Sequence, residues 1–410
     1  MTAKLTPPRR KDPLKKTTEP LLPQGVRSRT AHGLTAAATE GRFMLQVCTD
    51  CRFTLYPPRD ACPRCLSARV PFQDVAPGGS VLAETTIRTS TDPYFRERTP
   101  WRIGTVVLDC GPSFVAHLHG DVTENARVHM TLRLDKSGNA VAIAMPETPT
   151  PDQEDDVQLR ELTCDPKFRR VLITDGRTAT GLAMAQAMAA AGAAIIFVGI
   201  ADPWKPYPTE TILRAIPNVE IVPLDITNTQ SVADVAAEIA HRVDILVNTA
   251  EHPRPGGIMH RHGLTIAREE MDIRYFGLLR LAQQFGPTLR ARGADGAAAF
   301  VNLLSVHALI SWPQYGAFSA AEAACLSATQ ALRAELQTGG VRVLNMFAGP
   351  LDTEWFQSVP PPKLSPAALA MATVDALRKG LEDVYVGDIA QDIRARLDLQ
   401  PKALERELGL

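Results

Sequence analysis

The spacing of hydrophobic and polar positions changes character along the chain. Residues 1–30 are rich in Lys, Arg, Pro and Thr without an apolar period, and they read as a disordered basic tail. Residues 31–75 open with a helix-like run over Thr35–Gly41 and continue into a cysteine-rich knob. From 76 to 146, alternating or apolar segments recur at Ser80–Ile87, Ile103–Leu108, Ser113–Leu118, Val128–Leu134 and Ala140–Ala144, punctuated by Gly, Pro, Asn and Asp. Five short strands of this kind predict a small closed β-barrel of the OB-fold type. A Pro/Thr and acidic stretch over 147–167 has the composition of a linker.

Residues 168–410 switch to fully apolar strand runs at Val171–Ile173, Ile195–Val198, Ile221–Leu224, Ile245–Val247, Phe300–Leu304, Val341–Met346 and Val384–Val386. Helical patterns separate nearly all of them, which predicts an α/β doubly wound Rossmann domain on a parallel sheet. Two long helices are expected at Glu269–Leu289 and Phe318–Leu336. One segment, Gly181–Ala201, is apolar enough to mimic a membrane span. It changes from an Ala/Met run to the β-branched Ile195-Ile196-Phe197-Val198, so a buried helix followed by a buried strand is expected instead.

Composition narrows the function classes. The 410 residues hold 44 Lys+Arg against 45 Asp+Glu, with 45% hydrophobic and 22% charged residues. That is an ordinary globular balance, and it argues against a chain given over to nucleic-acid or membrane binding. No secretory signal pattern is visible at the N-terminus, so a cytoplasmic location is expected and clustered cysteines suggest metal rather than disulfides.

Cys48-Thr49-Asp50-Cys51 and Cys62-Pro63-Arg64-Cys65 are two CxxC turns. Turns of this kind can aim four thiolates at one tetrahedral ion, which favours structural zinc over an iron site of the rubredoxin kind or an unmetallated redox pair. Cys110, Cys164 and Cys325 are scattered and read as packing residues.

The stretch Cys48 to Cys65, with Tyr56-Pro57-Pro58-Arg59 between the pairs, resembles the zinc-ribbon/OB-fold family that accompanies thiolases in acyl-CoA metabolism. Gly79-Ser80-Val81, Pro100-Trp101-Arg102-Ile103-Gly104 and Val107-Leu108-Asp109 extend the resemblance. It implies a non-catalytic module that docks on a thiolase or thiolase-like enzyme, with acyl-CoA present at the complex.

Residues 168–390 resemble the short-chain dehydrogenase/reductase family. Leu224-Asp225-Ile226-Thr227, Val243–Ala250, Val301-Asn302-Leu303-Leu304-Ser305 and Ala348-Gly349-Pro350 carry the likeness. The resemblance also exposes what is altered. Thirteen residues beyond Ser305, where the family places its acid/base tyrosine, stands Phe318, and the lysine position four further on is Glu322. The helix asparagine position is Arg274, so Ser305 alone of that tetrad is unchanged. The phosphate turn reads Thr174-Asp175-Gly176-Arg177-Thr178-Ala179-Thr180-Gly181, with two of its glycines replaced by Asp175 and Ala179. Gly176, Gly181, Asp225 and Asn248 are vestiges of a cofactor site.

The expectation is a zinc-binding accessory subunit of a thiolase-type acyl-CoA complex. Its pseudo-dehydrogenase half would serve assembly, as a homodimer or with an intact dehydrogenase paralogue. NAD(P), a membrane and nucleic acid are not expected. Two alternatives remain open: an NAD(P)-dependent 3-hydroxyacyl-CoA oxidoreductase using Ser305 with Tyr315 or His307, and a nucleic-acid-binding ribbon and barrel.

Overall fold

The computed structural model describes residues 4–7, 21–23, 28–260, 263–293 and 296–409. The tail expected over 1–30 lies mostly outside the described residues. The fold divides into two units, one on Leu21–Cys164 with Arg378–Leu381 and the other on Asp165–Leu377 with residues 382–409.

In the first unit, α1 (His32–Thr39) buries Leu34, Ala37 and Ala38 and gives way at Gly41, whose φ of +70° is the left-handed conformation glycine tolerates best. A small antiparallel sheet of order β2-β1-β3 follows, with β1 Met44–Val47, β2 Thr54–Leu55 and β3 Phe72–Asp74. The barrel strands are β4 (Gly78–Ile87), β5 (Trp101–Leu108), β6 (Ser113–Leu118), β7 (Arg127–Leu134) and β8 (Ala140–Pro146), closed in the order β4-β5-β6-β8-β7. Alternation sets which side chains turn inward: Val128, Met130, Leu132 and Leu134 of β7 are buried, while Arg127 and His129 face out. The short helix α2 (Pro93–Arg96) bridges β4 and β5, its first turn capped by the Asp92 carboxylate.

The stretch 147–167, expected as a linker, instead carries a 3-10 turn at Gln153–Asp155 and a helix, α3 (Val157–Glu161), bonded to the barrel. The acidic string explains the difference. Asp156 Oδ1 accepts from Leu159 N as a helix cap, and its Oδ2 accepts from Gly120 N at 2.8 Å. Leu159 and Leu162 pack on Ile143 and Met145. Gln158 adds a two-point match to β5: its Oε1 accepts from Arg102 N at 2.7 Å and its Nε2 donates to Arg102 O at 2.9 Å.

The second unit is a seven-stranded sheet of β9 (Arg170–Ile173), β10 (Ile195–Gly199), β11 (Val219–Val222), β12 (Ile245–Asn248), β13 (Ala299–Ser305), β14 (Arg342–Ala348) and β15 (Asp383–Val386). Its order, β11-β10-β9-β12-β13-β14-β15, is parallel throughout. The intervening helices are α4 (Ala179–Ala190), α5 (Glu210–Ala215), α6 (Thr229–Ile239), α7 (Gly263–Met271), α8 (Gly277–Ala291), α9 (Gly316–Gln337) and α10 (Pro366–Lys379). Two more, α11 (Asp388–Leu399) and α12 (Pro401–Leu408), close the chain. The apolar stretch Gly181–Ala201 resolves into α4 and β10, and among the described residues no helix is long and apolar enough to cross a membrane.

Leu172, Phe197, Leu246, Phe300 and Phe347 from the strands meet Leu281, Phe285 and Leu289 of α8 in the main core. The helix expected over Glu269–Leu289 runs as α7 and α8 joined by a π-helical turn at Asp272–Phe276. Such turns often mark functional sites, and Arg274 sits in this one. The strand order reverses between β9 and β12, so the crevice at their carboxyl ends is where this architecture binds ligands.

Candidate functional site

The residues singled out from the sequence fall in two places: the cysteine cluster of the first unit and the crevice of the second.

At the cluster, the four Sγ atoms of Cys48, Cys51, Cys62 and Cys65 lie within 4.8 Å of one another. The Cys48–Cys65 and Cys51–Cys62 pairs are 3.6 Å apart. A tetrahedral zinc with Zn–S of about 2.3 Å has an S···S edge of about 3.8 Å, so the donor set fits the ion. The two CxxC turns share one geometry. Arg52 N donates to Cys48 O and Leu66 N to Cys62 O, both at 2.9 Å, and Arg52 (φ 59°) and Leu66 (φ 63°) both take the left-handed conformation. Backbone N–H groups of Cys51 and Asp50 face Cys48 and hold its thiol down to about 7, whereas the crowding of four sulfurs around one point leaves Cys51 raised and Cys65 pushed up to about 12. With four thiolates the coordination sphere is full. Zinc there would hold the fold and activate no water.

In the crevice, each residue singled out from the sequence has a structural partner. Arg274 and Glu322 form an ion pair through Nε and Oε1, with side chains 3% and 0% exposed. Arg274 Nη1 donates to Ala250 O at 2.5 Å and Nη2 to Leu303 O at 2.7 Å, while Glu322 Oε2 accepts from Ser305 N at 2.6 Å. Two positions that look like separate losses in the sequence are therefore one unit in space.

Phe318 lies one helical turn before Glu322 and is fully buried against the His307 and Phe356 rings. Ser305 Oγ and His307 Nδ1 are 2.6 Å apart. Burial lowers the His307 pKa to about 3, so its ring is neutral near pH 7. Tyr315 precedes the first residue of α9, as its place in the sequence suggests, and is buried beside Phe356 and His307.

The four vestigial cofactor positions are likewise accounted for by packing. A Cβ on Gly181 would fall 1.9 Å from Asp175 O, and one on Gly176 would fall 2.2 Å from Val198 Cγ1. Both glycines are needed for close approach of backbone and side chain, whether or not a phosphate is bound. Asn248 Oδ1 accepts from Thr174 Oγ1, and Asp225 Oδ1 accepts from Thr227 N. Asp175 closes its own turn, its Oδ1 accepting from Arg177 N at 2.9 Å and pairing with the Arg177 guanidinium.

Two crevice residues escaped the sequence reading. Burial pushes the Glu251 carboxyl up to about 7, with Glu322, Asp175 and Glu354 adding to the shift against the pull of Arg274. Burial likewise pushes Glu270 up to about 8, although its Oε1 accepts from Arg254 N at 2.9 Å. Glu251 directly follows the Asn248-Thr249-Ala250 strand end, and that placement was the available signal.

The fold and these geometries define a zinc ribbon and OB barrel joined to a Rossmann-like short-chain dehydrogenase domain. Residues 177–382 match the family described as Enoyl-(Acyl carrier protein) reductase, and the chain belongs to that family. Residues 35–71 match the model "ChsH2, rubredoxin-like zinc ribbon domain" and residues 72–135 the model "ChsH2, C-terminal OB-fold domain". A short-chain dehydrogenase from Burkholderia cenocepacia J2315, solved in complex with NADP, is 32% identical with a TM-score of 0.54, covering 58% of this chain and 97% of that one. Among curated proteins, "Short-chain dehydrogenase PC-15" of Penicillium crustosum is 30% identical over 36% of this chain and 54% of its own length. "Dehydrogenase/reductase SDR family member 7B" of Danio rerio is 34% identical over 31% of this chain and 41% of its own. The chain spans about half the length of the curated relatives it matches.

Proposed function

We propose that this chain is a zinc-containing accessory subunit of a thiolase-type acyl-CoA-processing complex, with a dehydrogenase fold used for assembly and not for hydride transfer. The carrying observation is the state of the helix that should supply the acid and base. Phe318 has no titratable proton, and Glu322 is held by Arg274 and Ser305 N, so neither can pass a proton to a substrate oxygen. Asp175, in the turn where the family carries glycine, would also place a carboxylate beside a dinucleotide diphosphate, with Arg177 as its counterion. The Burkholderia relative holds NADP, and absence of NAD(P) here rests on these residues alone.

The partner assignment rests on the ribbon and barrel. A metal-clamped knob is rigid before it binds, which lowers the ordering cost of association. The zinc would be held by Cys48, Cys51, Cys62 and Cys65, and its contribution is to fix that knob. The thiolase-type enzyme is the expected occupant of the docking face, and acyl-CoA the expected ligand of the complex. Self-association, or pairing with an intact dehydrogenase, is the role proposed for the second unit.

The second reading, an active NAD(P)-dependent oxidoreductase, draws on the short Ser305–His307 contact. A nucleic-acid role is disfavoured by the barrel surface, where the exposed large apolar side chains are Leu82, Val107 and Val115 and none is an aromatic platform. One experiment separates the readings. The full chain is purified from its native host, its partners identified, and its NADPH oxidation with 3-ketoacyl-CoA substrates measured. A co-purifying thiolase-type enzyme without NADPH turnover supports the accessory role. Steady turnover abolished by Ser305→Ala would establish the oxidoreductase instead.

A further inference from the structure

This inference deepens the accessory reading and rests on it. We propose that Arg274 and Glu322 are an internal plug: a buried ion pair that seals the crevice at the carboxyl ends of β12 and β13 and fastens both strand ends without a bound dinucleotide.

The bonds are distributed to do this. Arg274 reaches the carbonyl just past β12, at Ala250, and a carbonyl within β13, at Leu303. Glu322 takes the last amide of β13, at Ser305. The two side chains come from different elements, the π-helical turn of Asp272–Phe276 and the first half of α9. Four elements therefore meet at one pair. Beside it, Phe318, His307 and Phe356 fill the neighbouring volume with rings whose centroids lie 5.1 to 6.5 Å apart.

Opposite charges at these two positions compensate each other only if both are present. A single replacement leaves a buried charge without its counterion, whereas joint replacement by apolar side chains of similar size removes both desolvation terms together. The exchange is therefore a matched pair, and two unrelated losses would not behave this way.

A double-mutant cycle on the full chain tests it. Arg274→Met and Glu322→Leu are each expected to lower the thermal midpoint by about 10 °C, and the double variant to lose less than half the sum of the two. Additive losses would overturn the plug. Where a single variant does not fold, Glu322→Gln supplies the second measurement. Amide exchange over 303–306 should accelerate while the barrel strands are unchanged, and unchanged exchange there would also overturn it. NADPH should leave the midpoint of the unmodified chain where it is, and a saturable rise would count against a sealed crevice. Failure of the underlying functional reading looks different: it appears as NADPH-dependent turnover by the unmodified chain, whatever the cycle shows.

Discussion

The ribbon and the parallel sheet hold their loops together by opposite means. The ribbon has almost no apolar core of its own, its buried cluster being Cys48, Leu55, Cys62 and Val70. A unit that small depends on its metal for folding energy, so its ligands are also its structure. The sheet half buries Phe197, Phe285, Phe300 and Phe347 in one continuous core, and that core does not need the crevice. Chemistry that also folds the chain leaves its pattern in place, whereas chemistry carried on a self-sufficient core can be rebuilt while the fold persists. The four cysteines stand together, and the four positions matched to the tetrad hold an ion pair, a phenyl ring and one serine.

The largest effect should come from the metal. Removing zinc, or replacing Cys62 with Ser, should unfold the ribbon, because structural zinc in isolated fingers contributes about 10–16 kcal/mol. Metal analysis should find about one zinc per chain before treatment, as a four-thiolate site requires. The far-ultraviolet signal of the sheet half should survive, and its loss would mean the two halves share one source of stability.

Next comes the apolar core of the sheet. Phe300→Ala should cost about 3–5 kcal/mol in a denaturant titration, with zinc content unchanged.

A smaller, pH-dependent effect should come from Glu251 and Glu270. Their carboxyls are raised to about 7 and about 8 in the fold, against an ordinary value of 4.5. The folded chain keeps these protons after the unfolded chain has released them. Their contribution is therefore greatest below about pH 4.5 and is lost as pH rises through 7 to 8. The groups acting on them are Arg274, Arg254, Glu322, Asp175 and Glu354. Urea midpoints should fall from pH 5 to pH 8, and Glu251→Gln with Glu270→Gln should flatten that slope. A slope unchanged in the double variant would remove these carboxyls from the account.

The smallest effect should be Ser305→Ala. It removes the bond to His307 Nδ1, worth about 1 kcal/mol, and under the accessory reading proposed above should leave co-purification of a partner untouched. In an active dehydrogenase the same change would be decisive, so this variant sharpens the contrast between fold and chemistry.

Much of this architecture was legible before any coordinates. Five barrel strands and the seven sheet strands follow from alternation and from unbroken apolar runs, because burial on one face or two imposes those patterns. The cysteine spacing pointed directly to the cluster. Residues 147–167 were misleading because an acidic string reads as solvated, while Asp156 spends its carboxylate on backbone amides and Leu159 packs on the barrel. The pairing of Arg274 with Glu322 was hidden because sequence reading scored each against its expected residue, and only the fold brings the 274 turn against α9. Glu270 was invisible for a related reason, since burial of a carboxylate depends on neighbours distant in the chain, and Glu251 offered only its place after the Asn248-Thr249-Ala250 strand end.

The Gln158 amide on Arg102 has a consequence for what happens to the barrel outside its native contacts. A strand end with a free N–H and C=O is a template on which another extended chain can add itself, the first step in runaway association. By answering both groups of Arg102 at once, a single side chain from α3 continues the edge where β6, whose pairing with β5 stops at Ile103–His117, no longer reaches, and closes that template. The acidic segment around it then acts as a guard on the barrel. A nick or truncation within 147–165 should show first as a tendency to aggregate, before any change in metal content.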